Sequence, residues 1–343
     1  MTSNAKAVLV GAGAMSKKWL DCIKTIGGVD IVGIVDLNPQ NAEARAAEQG
    51  INPDIGTDLK PMLSKHNPDI VLDVAIPAVR HGIVSTALEA GAHVLSEKPM
   101  AETLDQARDL VARAKAADKL HVVIQNRRYL AQLRRIRRLI ASGGIGEVTG
   151  IHSDFFLDPH FGGFRETMPH VLLLDMAVHT FDAARFLADD AAVSAYAEEW
   201  NPKGSWYERD SSTFASFRFS RGAVMTYRGS WCAPGLRTSW ESAWRITGTE
   251  GSILWDGADD IRAERSLPYE PGRLLPDTQV LEIPALDPAD RIGGHMGVIS
   301  DFLAAVQGGP MPETVGSENI KSLAMVLGAI DASEQGRRVE III

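Results

Sequence analysis

The feature that most limits the fold is an alternation of short apolar runs with helical patterns over about the first 125 residues. Runs such as VLDVA and HVVI are almost continuously apolar, which is typical of parallel strands buried on both faces. Strands that alternate with helices predict βαβ units around a parallel sheet. The predicted strands span 7–10, 31–35, 70–75, 93–96 and 121–124, and the predicted helices span 14–26, 41–49, 59–65, 83–90 and 104–117.

The second part of the chain has a different texture. From about residue 146, segments such as TFASFRF and AVMTYRGSW alternate apolar and polar residues, with Gly and Ser between them. This period of two predicts antiparallel strands that bury one face. Helical patterns at 172–187, 298–306 and 318–333 make this part α+β. We therefore expect two domains, residues 1–124 and residues 125–343.

Composition favours an ordinary globular protein. A chain of 343 residues with 45% hydrophobic content is longer than one core usually organises. Its formal net charge of -9 argues against nucleic acid as a partner. The sequence has no apolar run of about 18 residues and no signal-peptide pattern. Cys22 and Cys232 are too few for a disulfide framework or a zinc site. We expect a cytoplasmic protein without a metal and without a membrane partner.

Glycines after the first predicted strand mark a candidate dinucleotide loop. Gly11 would make the tight turn, and Gly13 would let the backbone approach a pyrophosphate. Ala14 and Met15 open the next helix, whose N-terminal N–H groups would meet the negative charge. Ser16 is small enough to permit close helix–strand packing at the third position of the pattern. An ordinary strand-to-helix turn would also explain these glycines.

Asp36 favours the dinucleotide loop over the ordinary turn. It ends the second predicted strand, where a carboxylate accepts hydrogen bonds from the adenosine ribose hydroxyls. A 2′-phosphate would meet a like charge there, and the next residues are Leu37, Asn38 and Pro39 rather than an arginine. The sequence therefore predicts a site for NAD rather than NADP.

A lysine provides the first candidate catalytic group. Lys98, within SEKP, follows the carboxyl end of a predicted strand, which is the sheet edge where ligands bind. A lysine in this place can donate to a substrate hydroxyl oxygen and stabilise the alkoxide that develops as the proton leaves. A surface salt bridge is the structural alternative.

The predicted helix LLLDMAVHTFDAARFL provides further candidates. It is apolar nearly all round and is therefore expected to be buried. Asp175, His179 and Asp182 nevertheless share one face of it, at spacings of four and three. An imidazole, with an ordinary pKa of about 6.5, can accept a hydroxyl proton near neutral pH. Asp175 would orient that ring or share the substrate hydroxyls. A core histidine paired with a carboxylate is the structural alternative, but three polar groups on one buried stripe favour a site.

Together these segments resemble the Gfo/Idh/MocA family, named for glucose-fructose oxidoreductase, inositol dehydrogenase and a rhizopine-catabolism protein. The resemblance rests on GAGAM, AIPAVRH, SEKPM, QNRRY and DMAVHTFD in this order, and it covers nearly the whole chain. It implies an α/β fold with an N-terminal Rossmann domain and a C-terminal α+β domain that has a large open antiparallel sheet. That sheet commonly forms contacts in homodimers or homotetramers.

The resemblance also implies functional residues. Lys98, Asp175 and His179 match the family's catalytic lysine, aspartate and histidine. Pro77 and His81 fall in the loop that passes the cofactor, and Glu97 starts the element that positions nicotinamide. The expected NAD-binding residues are thus Gly11, Gly13, Ala14, Met15, Asp36, Pro77, His81, Glu97 and Lys98.

The implied substrate site, which includes His179, is less clearly defined. Asn126 and Arg127 match positions that line the pocket in related enzymes, although Arg127 also suits a structural role. The sequence departs from the family at Met168-Pro169-His170, where glycines are common. His170 would bind a substrate hydroxyl or carboxylate, or cap local structure. His160 and Arg165, in DPHFGGFRE, are weaker candidates of the same kind.

The leading expectation is NAD-dependent oxidation of a hydroxyl of a sugar, polyol or related carbohydrate. His179 would act as the base and Lys98 as its electrostatic partner. Two alternatives stay open. An NAD-retaining enzyme that cleaves glycosides through transient oxidation would form product without net NADH. A non-catalytic nicotinamide sensor would bind the cofactor only, and the presence of Lys98, Asp175 and His179 counts against it.

Overall fold

The structure is a computed structural model, and it describes residues 4–343. The chain divides into two compact units. The first unit runs to Tyr129 and takes in Arg291–Leu323 and Ile343, whereas the second comprises Leu130–Asp290 and Ala324–Ile342. The predicted domains, residues 1–124 and 125–343, are each one continuous stretch of sequence, whereas the two compact units are not. A local pattern does not report the long-range contacts that assign residues 291–323 to the first unit.

The helices begin and end at recognisable signals. Asn38, for example, accepts a hydrogen bond from the Gln40 N–H through its side chain, Pro39 takes the first helical position, and Gly50 ends that helix in the left-handed conformation. The helices are α1 Ala14–Ile26, α2 Pro39–Gln49, α3 Leu59–His66, α4 Pro77–Glu89, α5 Leu104–Ala116, α6 Ala131–Ala141, α7 Phe164–Thr167, α8 Val178–Ala188, α9 His295–Val306 and α10 Gly316–Gln335, with a 3-10 turn at Asn126–Tyr129 and a π-helical segment at Leu172–Ala177.

Parallel strands form the sheet of the first unit. They are β1 Ala5–Val10, β2 Val29–Val35, β3 Asp54–Gly56, β4 Ile70–Asp73, β5 His93–Ser96 and β6 His121–Val123. Within residues 4–343 their order is β3-β2-β1-β4-β5-β6, and every pair is parallel. This is the strand order of a dinucleotide-binding fold, in which ligands bind outside the carboxyl ends of the strands near β1 and β4. The predicted Rossmann architecture is confirmed.

Helix α4 begins earlier than predicted. The sequence pattern indicated a helix at 83–90, with Pro77 and His81 in the preceding loop, but α4 starts at Pro77 itself. Proline is well tolerated at the first helical position because its missing N–H has no intrahelical partner there. The loop expected to pass the cofactor is therefore the first two turns of α4.

A mixed sheet forms the framework of the second unit. Its strands are β7 Val148–Phe156, β8 Ala192–Trp200, β9 Ser212–Phe219, β10 Val224–Ser230, β11 Ala243–Gly248, β12 Gly251–Trp255, β13 Ile261–Ser266, β14 Thr278–Val280 and β15 Val339–Glu340. In the described chain their order is β14-β13-β12-β11-β7-β10-β9-β8-β15. The large sheet was predicted, but its central pair β7–β10 is parallel and the other pairs are antiparallel. Alternation in sequence reports which face is buried and not which way a neighbour runs.

One face of this sheet is covered by the predicted buried helix. Phe181 of α8 packs edge-on against Phe217 and Tyr227, with ring centroids 4.7 and 5.3 Å apart. The segment predicted as one helix at 172–187 is a π-helical stretch that continues into α8. Among residues 4–343, no helix combines the length and the apolar content needed to cross a membrane.

Candidate functional site

The glycine loop lies between β1 and α1. Gly11 has φ +91°, and a Cβ on it would lie 2.8 Å from the backbone N of Ala75 and the backbone C of Val74. Only glycine fits this approach to the segment after β4. Gly13 precedes α1 without a side-chain cap, and it is exposed together with Ala14 and Met15. The first-turn N–H groups of α1 therefore face a surface that suits a pyrophosphate.

Asp36 is fixed at the end of β2. Its Oδ2 accepts a hydrogen bond from the Ala12 N–H at 2.8 Å. Its Oδ1 accepts from the Asn38 N–H at 2.9 Å and from Asn41 Nδ2 at 3.3 Å. The carboxylate is thus tied to the glycine loop, beside which the adenosine ribose of a dinucleotide would bind. The residues at this edge fit NAD.

The Glu97-Lys98 element follows β5 at the same sheet edge. Glu97 Oε1 accepts a hydrogen bond from Trp19 Nε1 at 3.0 Å, and its Oε2 accepts from the Lys98 N–H at 3.2 Å. Burial raises the pKa of the Glu97 carboxyl, although the neighbouring Lys98 acts in the opposite direction. The Lys98–Pro99 peptide bond is cis. Glu97 therefore anchors the backbone of this element to α1, and Lys98 is partly buried beside it.

Arg80 holds this element from α4, and sequence analysis missed it. Arg80 Nε donates to Asp73 Oδ2 at 3.0 Å, Nη1 donates to the Pro99 carbonyl at 2.7 Å, and Nη2 donates to the Ala75 carbonyl at 2.5 Å. The side chains of Arg80 and Asp73 are 1% and 0% exposed. Burial raises the pKa of Asp73 to about 6, against the charge of Arg80. The available signal was an arginine within the apolar AIPAVRH together with an aspartate that ends a buried strand.

The remaining candidates of the first unit lie in helical segments. His81 of α4 has its Nε2 2.8 Å from Asp109 Oδ2 on α5. Pro77 is the first residue of α4. Asn126 and Arg127 lie in the 3-10 turn after β6, where Arg127 is buried.

Asp175 and His179 lie on the helical segment of the second unit, both partly buried. Asp175 is in the π-helical stretch, and His179 is in the first turn of α8. π-helical stretches inside helices are frequently found at functional sites. Arg165 Nε donates to Asp175 Oδ2 at 2.9 Å. Arg165, a candidate substrate-binding residue, therefore contacts Asp175, a candidate catalytic residue. Asp182 is completely buried, with Arg185 Nη1 3.9 Å away.

His170 pairs with a carboxylate that the sequence did not indicate. Its Nδ1 lies 2.6 Å from Glu199 Oε2 on β8, and the hydrogen bond to Glu199 is the main cause that raises the pKa of His170. His170 has φ +49° and borders a cavity of about 240 Å³ next to Arg209. His160 is exposed and stacks on Trp206, with ring centroids 3.7 Å apart.

Comparison with known proteins assigns both parts of the chain. Residues 5–125 match the sequence model described as an oxidoreductase family with an NAD-binding Rossmann fold, and residues 133–254 match the GFO/IDH/MocA C-terminal domain. The two matches together span more than half of the chain. The chain belongs to the Gfo/Idh/MocA family. It is accordingly an oxidoreductase with an NAD-binding Rossmann domain.

Individual Gfo/Idh/MocA relatives are distant but similar over their whole length. The chain is 26% identical to the 1,5-anhydro-D-fructose reductase of Ensifer adhaerens, with 97% of each chain covered. It is 24% identical to the D-glucoside 3-dehydrogenase of Escherichia coli K12, with 99% of each chain covered. Its fold is similar to that of an Agrobacterium radiobacter oxidoreductase solved with NAD+, L-tartaric acid and magnesium, with a TM-score of 0.84, 21% identity and 99% of each chain covered.

The candidate residues of this Gfo/Idh/MocA chain divide between its two units. Lys98 and the glycine loop belong to the first unit, and Asp175, His179, Arg165, His160 and His170 belong to the second. The residues that support these groups form no motif in the sequence. Besides Arg80, they include Trp19 on Glu97, Glu199 on His170, and Arg45, whose Nη2 donates to the Gly13 carbonyl at 3.1 Å.

Proposed function

We propose that this protein is an NAD-dependent dehydrogenase that oxidises a CH–OH group of a sugar or related carbohydrate. The observation that carries the proposal is Asp36, a carboxylate fixed at the end of β2 beside a glycine loop that leaves the N-terminus of α1 open. This arrangement favours NAD over NADP. The names of the relatives, a 1,5-anhydro-D-fructose reductase and a D-glucoside 3-dehydrogenase, support a carbohydrate as substrate.

The chain's own residues would divide the work as follows. Bound NAD supplies the hydride acceptor. In this proposal His179 is the base that accepts the proton of the reacting hydroxyl, and Lys98 is the electrostatic group that stabilises the developing negative charge. Asp175 orients the base or the substrate hydroxyls. Glu97 and Arg80 hold the backbone on either side of Lys98, through the Lys98 N–H and the Pro99 carbonyl.

The test of this function is net formation of NADH. Cyclitols, aldoses, apiose, glycosides and sugar acids would each be incubated with NAD and the enzyme, and absorbance at the NADH band would be followed. Net NADH in proportion to product supports the dehydrogenase. Product without net NADH would instead indicate glycoside cleavage through transient oxidation, and binding of NAD with no product from any substrate would indicate a sensor.

Variants would then assign the roles. Lys98→Ala and His179→Ala should fold and bind NADH with unchanged affinity but lose turnover, by roughly a hundredfold to ten-thousandfold for the base. Asp175→Asn keeps the shape of the side chain and removes its charge, so it should change the pH dependence as well as the rate. Unchanged turnover in His179→Ala would assign the base elsewhere, with Lys98 or His170 next to be tested.

We also propose a homodimer or homotetramer that forms through the outer face of the second unit's sheet. This face carries Tyr196 and Phe214, whose ring centroids lie 6.4 Å apart. The face also carries charged groups, because Arg228 donates two hydrogen bonds to Asp154 on the adjacent strand. Sedimentation at micromolar concentration tests the assembly, and a monomer alone would refute it.

A further inference from the structure

Arg165 has unused hydrogen-bonding capacity beside Asp175. Its Nε donates to Asp175 Oδ2 at 2.9 Å. Among residues 4–343 this is the only hydrogen bond that the guanidinium makes, so the N–H groups of Nη1 and Nη2 have no acceptor from the protein. A guanidinium has five N–H donors in a planar fork, and the pair of terminal nitrogens matches the two oxygens of a carboxylate.

The guanidinium is held by aromatic rings. Its central carbon lies 5.1 Å from the centre of the Phe161 ring and 5.0 Å from the centre of the Phe164 ring. These contacts restrain a side chain that would otherwise lose considerable rotamer freedom on binding a ligand. Arg165 itself is 35% exposed, so a molecule from solvent can reach its free edge.

Residues 161–163 and the short helix α7 that follows them have a defined backbone. Gly162 and Gly163 both have positive φ, and the Gly162 N–H donates to Glu166 Oε1 at 2.9 Å. Glu166 follows Arg165 in sequence, and its carboxylate accepts this hydrogen bond from the backbone instead of pairing with Arg165.

The surroundings of Arg165 suit a sugar ring. Phe161 and Phe164 are 40% and 64% exposed, and Trp240, 49% exposed, lies 6.3 Å from Phe161 between ring centroids. Exposed aromatic faces are uncommon in such proximity unless they contact a ligand or a partner. The C–H face of a carbohydrate ring packs on an aromatic surface, while its polar substituents reach outwards to hydrogen-bond donors.

We propose that the terminal nitrogens of Arg165 bind a carboxylate on the substrate, and that the substrate is therefore a sugar acid. This inference rests on the proposed dehydrogenase function and names its substrate class. Arg165 bridges two carboxylates. Asp175 takes Nε, and the sugar acid takes the Nη1–Nη2 edge, with its ring against Phe161 and Phe164.

The experiment compares acids with neutral partners that differ only in the carboxylate. Methyl β-D-glucopyranosiduronate is paired with methyl β-D-glucopyranoside, and D-gluconate is paired with D-glucitol. For each compound, kcat/KM is measured from NADH formation, and binding to the enzyme–NADH complex is measured by calorimetry. Wild type, Arg165→Gln and Arg165→Lys are compared with Arg273→Gln, a control that removes an exposed, ion-paired arginine of the same unit. Circular dichroism checks that each variant is folded.

In wild type and in Arg273→Gln we expect at least one acid to exceed its neutral partner by about tenfold or more, the scale of a charge-assisted bidentate contact. Arg165→Gln should abolish this preference and Arg165→Lys should keep part of it. A preference for neutral compounds, or an equal loss for both members of a pair in Arg165→Gln, would overturn the proposal and leave Arg165 as a group that only positions Asp175.

The two proposals fail in distinguishable ways. If an acid binds in calorimetry in a way that depends on Arg165, but no compound gives NADH formation with NAD, the result would support the carboxylate site and contradict the dehydrogenase. Oxidation of neutral sugars with no binding of any acid would support the dehydrogenase and contradict the carboxylate site.

Discussion

Replacement of Arg80 by methionine removes one partner of a buried ion pair and keeps most of the side-chain volume. In the native protein, Asp73 has Arg80 Nε at 3.0 Å and the Ala75 N–H at 3.0 Å, and neither side chain is reached by solvent to more than 1%. After the substitution the carboxylate keeps one hydrogen bond and loses its counter-charge. Loss of one partner from such a pair costs about 3–5 kcal/mol of unfolding free energy.

The cost depends on pH because Asp73 can escape it by protonation. The pKa of Asp73 is already raised from 3.8 to about 6 in the folded protein, which corresponds to about 3 kcal/mol between its two protonation states. A carboxyl with a raised folded pKa contributes most stability below the unfolded pKa, near pH 4, and this contribution is lost as pH rises through the folded pKa. Without Arg80 the folded pKa rises further. The destabilisation by Arg80→Met should therefore approach 3–5 kcal/mol at pH 8 and be clearly smaller at pH 5.

Urea unfolding followed by far-ultraviolet circular dichroism at pH 5, 6.5 and 8 measures this difference. The double variant Arg80→Met with Asp73→Asn is the control, since it removes the buried charge and should recover stability at pH 8. A destabilisation that is below about 1 kcal/mol or equal at pH 5 and pH 8 would refute the argument that Arg80 compensates a buried carboxylate. NADH affinity should fall as well, because the Pro99 carbonyl loses its donor.

Three further changes test the assigned contacts. Asp36→Ser should reduce the preference for NAD over NADP by about thirtyfold, equivalent to about 2 kcal/mol, in ratios of kcat/KM; equal use of both cofactors by wild type would contradict the ribose assignment. Gly11→Ala should lower the free energy of unfolding, because its Cβ would lie 2.8 Å from backbone atoms. Gly13→Ala has open space at its Cβ, so it should keep the free energy of unfolding of wild type and only weaken NADH binding in a fluorescence titration. His170→Asn should lower the free energy of unfolding by about 1–2 kcal/mol at pH 6. The raised pKa of His170 means that this loss disappears as pH rises through it, so a pH-independent effect would exclude the charged pair with Glu199.

Sequence periodicity predicted the regular parts of the first unit closely. Helix α1 was predicted at 14–26 and strand β5 at 93–96, and both have these bounds. Strong apolar patterns explain this success, together with a glycine at each end of α1. The three-residue strand Asp54–Gly56 was missed because a segment that short at the edge of the sheet has no measurable period. The early start of α4 was missed because Pro77 was interpreted as a loop residue.

Predictability of the candidate site follows the sequence separation of its contacts. The glycine loop and the start of α1 are consecutive residues, so a motif describes them. The supports are contacts between segments brought together by folding, such as Trp19 with Glu97 and Arg80 with the Pro99 carbonyl. No periodic pattern in the sequence predicts these two contacts, because they depend on the order β1-β4-β5 within the sheet.

The motifs indicate a chemistry and leave its substrate open because the residues that they contain are close in sequence, whereas the contacts around the substrate are not. Asp175 and His179 are four residues apart on one helical segment, so a sequence motif is enough to find them. Arg165, which donates to Asp175, however, lies in the short helix α7 ten residues earlier, and Phe161 and Phe164 pack beside its guanidinium. A short surface segment of this kind can change without loss of the buried helix or the sheet. We therefore expect substitutions in residues 161–165 to change which substrate this chain selects, without disturbing Asp175 and His179 on their helical segment.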